Sequence, residues 1–172
     1  QQKNTKIEKE AKRNEEIDRW RNAATHDFLT RRDVIIVASV SGIYGLGNPT
    51  NYQQASFPLV VGQRYSRTDL FRLLNLALYQ RNDYDFKRGT FRVRGEIIDI
   101  HPAYSEEGIR CEFDDDTLIK LSIVDIITGQ MLAAKRVLTS YPGRKFVTGG
   151  DQVPTVLASL KHETAEQVDV FN

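Results

Sequence analysis

Arg92 and Arg94 stand one residue apart in the run Arg88-Gly89-Thr90-Phe91-Arg92-Val93-Arg94-Gly95-Glu96-Ile97-Ile98-Asp99-Ile100-His101-Pro102, where they alternate with Phe91 and Val93. In an extended strand, neighbouring side chains face opposite ways. Phe91 and Val93 can therefore enter a core while two guanidinium groups about 7 Å apart form a cationic ledge outside. Beyond Gly95 the apolar parity switches to Ile98 and Ile100, which predicts either a strand covered on both faces or, as the preferred reading, a bulge at Gly95-Glu96. After a loop from Ala103 to Gly108, Ile109, Cys111 and Phe113 alternate with Arg110 and Glu112, the pattern of an antiparallel return strand with its charges outward. Arg92, Arg94, Arg110 and Glu112 then occupy related outer positions. Arginine offers its donors as a planar fork that fits carboxylates and phosphates alike, so the chemistry of this surface is recognition of acidic groups. The bland alternative is an edge strand whose arginines are merely solvated.

Other chemistry finds little purchase. His26, His101 and His162 are far apart in sequence, Cys111 sits at an inward strand position, and no metal-ligand spacing occurs. Asp114-Asp115-Asp116 reads as a solvated turn rather than a cation site. No serine lies in a nucleophile elbow. Gly42, Gly45 and Gly47 are not followed by the Gly-Lys-Ser or Gly-Lys-Thr of a P-loop, so no ATP site is expected within the chain.

The whole chain has 172 residues, 24 basic and 23 acidic, for a net charge of +1. That balance excludes a surface that follows nucleic acid over its full extent and makes any cationic site local. One cysteine cannot form an internal disulfide, and no apolar run approaches the ~20 residues that span a bilayer, so a cytoplasmic protein with no membrane partner is expected. Gln1 opens inside a charged run and Asn172 closes inside a helical pattern, which reads as an internal fragment of a longer protein.

The elements that must position the arginines follow from periodicity. Ile17, Trp20, Ala24 and Phe28 form a helical stripe, predicting a packing helix from about Asn14 to Thr30. Val34 to Ser41 is a continuous apolar run, as in a buried parallel strand of an α/β sheet. A Gly-rich loop and a polar stretch from Asn48 to Gln54 mark a candidate domain boundary. Val60-Val61-Gly62 predicts a strand. Ser66 can cap a helix running to about Gln80 with the stripe Leu70, Leu73, Leu74, Ala77 and Leu78. The polar exit Arg81 to Asp85 brings Arg81 close in sequence to the arginine strand. Leu118 to Asp125 predicts a third strand and Met131 to Ser140 a fourth strand or mixed segment. Pro154 can open a last helix. The middle of the chain thus reads as a small α+β domain with a mainly antiparallel sheet.

Three runs carry a resemblance: Arg31-Arg32-Asp33-Val34-Ile35-Ile36-Val37-Ala38-Ser39-Val40-Ser41 with Ile43-Tyr44-Gly45-Leu46-Gly47, then Arg81-Asn82-Asp83, then Arg88 to Gly95. From about Thr5 to at least Thr148 the chain resembles the UvrB family of bacterial nucleotide-excision-repair proteins. The transcription-repair coupling factor is similar in the arginine strand but lacks the match around Ser39 to Gly47. The UvrB resemblance implies that residues 55–146 form an inserted domain that docks UvrA. It also implies that residues 1–54 and 147–172 are pieces of a RecA-like α/β P-loop helicase core. Carried over by motif position, the residues expected to meet UvrA are Arg81, Arg92, Arg94, Arg110 and Glu112. The fragment itself would be non-catalytic and hold no cofactor. ATP and magnesium, and the partners UvrC and damaged DNA, would belong to the longer protein. Departures from the family pattern fall at Lys6, Gly42, Asp114 and Pro154. The rival reading is a nucleic-acid-binding domain using Arg81, Lys87, Arg88, Arg92 and Arg94; Glu112, beside Arg110, would repel a phosphate backbone.

Overall fold

The computed structural model describes residues 2–37, 39 and 49–144, with residues 2–13 and 49 described by their backbone alone. The elements in chain order are α1 (Gln2–Thr30), α2 (Pro49–Gln54), β1 (Phe57–Val60), α3 (Arg67–Leu76), β2 (Gln80–Arg81), β3 (Thr90–Arg94), β4 (Ile97–His101), β5 (Glu107–Asp114), β6 (Thr117–Asp125), β7 (Met131–Lys135) and β8 (Val137–Ser140). Six strands form one sheet in the order β2-β3-β4-β5-β6-β7, and β1 pairs with β8 in a second sheet. Every pair is antiparallel except β2 with β3. The mainly antiparallel α+β character therefore agrees with the sequence.

The run expected to be one strand with a bulge is a hairpin. Arg94 pairs with Ile97, so Gly95 and Glu96 are a two-residue turn, and Gly95 takes φ +60. A turn of that length reverses the chain with both residues off the ladder, which accounts for the parity switch without a bulge. The acidic turn lies as expected: Asp114 pairs with Thr117, and Asp115 adopts φ 52.

α3 begins where Ser66 caps it. The Ser66 hydroxyl accepts from the Asp69 N–H at 3.1 Å and donates to the Asp69 carboxylate at 2.6 Å. Its stripe is buried, with Leu70 and Leu74 at 0% exposure. The helix stops at Leu76 rather than near Gln80, because Leu78 turns the chain at φ 61 and releases Gln80 and Arg81 to pair with Thr90 and Phe91. The core joins this stripe to Phe57, Leu59, Phe91, Ile100, Cys111 and Leu121 from the sheets. Each of the leucine, isoleucine and phenylalanine side chains contributes roughly 1.5–3 kcal/mol on burial.

Several expectations are corrected. β1 covers Phe57–Val60 instead of residues 60–62, with Gly62 in the following turn at φ +91. Met131 to Ser140 splits at Arg136 into β7 and β8, which belong to different sheets. Part of the polar stretch before residue 55 is the short helix α2. α1 extends N-terminally to Gln2, and its apolar stripe does not pack: Ile17, Trp20 and Phe28 are 40%, 62% and 52% exposed. It meets the sheet domain instead through Arg19, paired with Glu106, and through His26, whose ring stacks on Tyr104 at 4.1 Å and meets the edge of Tyr141 at 4.6 Å. Residues 34–37 form no strand, and Ile35 and Val37 are 91% and 96% exposed. A parallel strand needs neighbours on both edges and both faces, and the described residues supply none there. The Gly-rich loop and the segment from residue 147 onward, with its expected helix, lie outside the described residues.

Candidate docking face

Register places the sequence-predicted set. On the sheet face away from the core, Arg92 of β3 is opposite Asp99 of β4, which is opposite Arg110 of β5. The next row along the strands is Arg94, Ile97, Glu112 and Lys120. Arg92, Arg94, Arg110 and Glu112 thus share one face, although β4 intervenes between the two strands that carry them. Arg81 stands apart. It is opposite Phe91, lies 5.7 Å from the Phe71 ring of α3, and pairs with Asp83 at 2.9 Å. Asp83 in turn accepts from the Val93 N–H at 2.9 Å, tying this arm to the edge of β3.

Asp99 organises the face, and motif reasoning missed it. Its side chain is 2% exposed, and its carboxylate accepts from Arg110 Nε at 2.7 Å and Nη2 at 3.1 Å. Arg92 donates to the same group from Nε at 3.0 Å, with Nη2 2.9 Å away. Burial opposes ionisation of this carboxyl, but the hydrogen bonds and charges of Arg110 and Arg92 outweigh that and hold it below the usual carboxylate range. The bond to Asp99 likewise raises the Arg110 guanidinium above its ordinary value. The far side of the Arg92 guanidinium is covered by Phe86 at 4.2 Å, a cation–π contact, and Arg110 Nη1 donates to the Gly129 carbonyl at 3.2 Å. Both arginines are therefore fixed in place. The signal for Asp99 was present in the sequence: an acid inside the apolar run Ile97-Ile98-Asp99-Ile100 can be buried only with a cationic partner.

Arg94 is exposed and carries no ion pair among the described residues, whereas Glu112 pairs across the strands with Lys120 at 2.8 Å. The face therefore presents four cations against two carboxylates, with its central arginines pre-oriented and Arg94 open to a partner. Lys87 and Arg88, named in the nucleic-acid reading, lie toward α1 instead. Beneath the face Cys111 is fully buried, and burial pushes its thiol far above its ordinary value, so it is inert packing. Among the described residues no helix is long and apolar enough to cross a membrane, and no group of three His, Cys, Asp or Glu side chains could hold a metal ion.

Comparison with known proteins gives a consistent picture. Residues 57–146 match the family model described as the UvrB interaction domain. The chain is 46% identical over 165 residues to the UvrABC system protein B of Nitratidesulfovibrio vulgaris strain Miyazaki F, covering 95% of this chain and 24% of that protein. It is 46% identical over 162 residues to the protein of the same name from Chloroflexus aggregans (94% and 24%) and 40% identical over 168 residues to that from Methanobrevibacter smithii (98% and 26%). The chain spans about a quarter of the length of these curated relatives.

Proposed function

The chain belongs to the UvrB interaction domain family, and from that premise we propose that its arginine face docks UvrA in a nucleotide-excision-repair complex. The observation that carries the proposal is the row Arg92–Asp99–Arg110 with Arg94 and Glu112 beside it: a rigid, mixed-sign patch of the kind that recognises a charged protein surface. A uniform polyanion would not call for Glu112 in its middle. Arg81, on the edge strand opposite the core-facing Phe91, would meet a partner only if that partner also wraps the edge of the sheet. The domain acts by binding, and hydrolytic chemistry belongs to the larger protein, where ATP and magnesium would be held. Damaged DNA and UvrC would be engaged through that larger protein as well.

The exposed stripe of α1 and the exposed Ile35 and Val37 support a role for residues 1–54 as part of a RecA-like core, since such surface is costly to leave in water. Residues 147–172 would return the chain to it.

Titration of the chain with UvrA tests the docking reading. Arg94→Ala should weaken binding by on the order of 2 kcal/mol without affecting the fold, because a charged partner group is left unpaired. Glu112→Lys should also weaken it. If Glu112→Lys leaves UvrA binding unchanged and tightens binding to a DNA duplex with a steeper salt dependence, the face is a phosphate surface and the docking reading fails.

A further inference from the structure

Between α1 and the β2–β3 connection lies a cleft of about 350 Å³, on a different part of the molecule from the arginine face. Its cations are Arg19 from α1, Lys87 and Arg88 from the β2–β3 connection, and Arg144 beyond β8; Glu15 and Asp18 line it from α1. Lys87 is paired with Asp85 at 2.8 Å, and Arg19 with Glu106. Arg88 and Arg144 have no ion pair among the described residues.

The backbone brings these two arginines to one place. Gly89 and Gly143, each next in sequence to one of them, are in such close contact that a Cβ on Gly89 would lie 2.9 Å from the Gly143 carbonyl oxygen. Gly89 also holds φ +74, its N–H donates to the His101 carbonyl at 2.8 Å, and the Gly143 N–H donates to the Ala77 carbonyl at 2.8 Å. Two unpaired guanidinium groups are thus anchored at one cleft by backbone that cannot move apart freely. Arg19, although paired with Glu106 and 3.9 Å from Glu16, brings a third guanidinium whose Nε–H is buried without an acceptor. Burial, and after it the charge of Arg19, press the Arg88 guanidinium below its ordinary value, while Glu15 and Glu16 act the other way. An arginine in a protein stays protonated, so its donors remain available to an anion that enters the cleft.

We infer that this cleft binds the phosphate group of a phosphate ester, held by Arg88 and Arg144 with Arg19 completing the set. Guanidinium forks match phosphate oxygens two at a time, and the volume accommodates the phosphate together with the sugar that bears it. The site is independent of the UvrA-docking face, so either can fail without the other.

The test titrates the intact chain with thymidine monophosphate and with an oligothymidylate, by calorimetry and by fluorescence of Trp20, the only tryptophan, over whose ring the Arg19 guanidinium lies at 4.4 Å. Saturable binding is expected, at least tenfold weaker in Arg88→Ala and in Arg144→Ala, tighter in Glu15→Gln, and unchanged in Arg94→Ala. Binding of both ligands identifies a mononucleotide-sized site, and binding of the oligonucleotide alone identifies a strand as the source of the phosphate. Absence of saturable binding to either ligand, or binding that survives both arginine changes in folded protein, overturns the inference.

Discussion

α1 and α3 have the same kind of apolar stripe, spaced by three and four residues, yet the α3 stripe is buried while Trp20 and Phe28 of α1 stand more than half exposed. The difference lies in what each helix is given to pack against. α3 is capped by Ser66 and followed directly by strands of the sheet it covers, so its leucines and Phe91 share one core. α1 meets the same domain edge-on, through a stacked histidine and an arginine pair, and leaves its stripe to whatever else approaches it. Periodicity reports that a helix has an apolar side; it does not report whether the described chain contains the surface that side was selected to meet.

Three measurements test the difference between the two helices. Leu74→Ala in α3 should cost on the order of 3 kcal/mol in chemical denaturation, since a fully buried leucine leaves a cavity behind it. Acid should come next. Burial holds the His101 imidazole down at about 4, against 6.5 for the free group. Between those values the unfolded chain binds a proton that the folded chain does not, so this contribution is intact above pH 6.5, falls as pH drops, and levels off below about 4. The loss is at most about 3 kcal/mol, and denaturation midpoints across that window should show a shallower slope in His101→Gln. Smallest of all, Trp20→Ala should shift stability by no more than about 0.5 kcal/mol although it deletes a larger side chain than Leu74→Ala does. Equal costs for the two substitutions would mean that α1 is packed after all.

What the sequence disclosed follows the same logic. Alternation placed Phe91 and Val93 inward and Arg92 and Arg94 outward, and the inward Ile109, Cys111 and Phe113 fixed the outward position of Arg110 and Glu112, because a half-buried antiparallel strand leaves one choice of face. The same alternation could not separate a bulge from a two-residue turn at Gly95, since either one reverses parity. Nor could it divide Met131 to Ser140 between two sheets, because the break at Arg136 has no glycine or proline to mark it. Asp99 escaped notice through being an acid among isoleucines, where a count of apolar positions passes over it. Its partners Arg92 and Arg110 lie seven and eleven residues away and meet it only through register.

The pairing of β1 with β8 sets Phe57 opposite Ser140, about 5 Å apart as in any antiparallel pair, at the end of the domain where the chain enters and leaves. A unit attached in this way occupies no more of its host's path than a short loop would, so a larger protein can carry it without altering the direction of the chain on either side. The Arg19–Glu106 pair and the His26 ring contacts with Tyr104 and Tyr141 add a second hold, between the unit and α1. A pull on the arginine face would therefore reach the rest of the chain by two routes, through the strand pair and through α1.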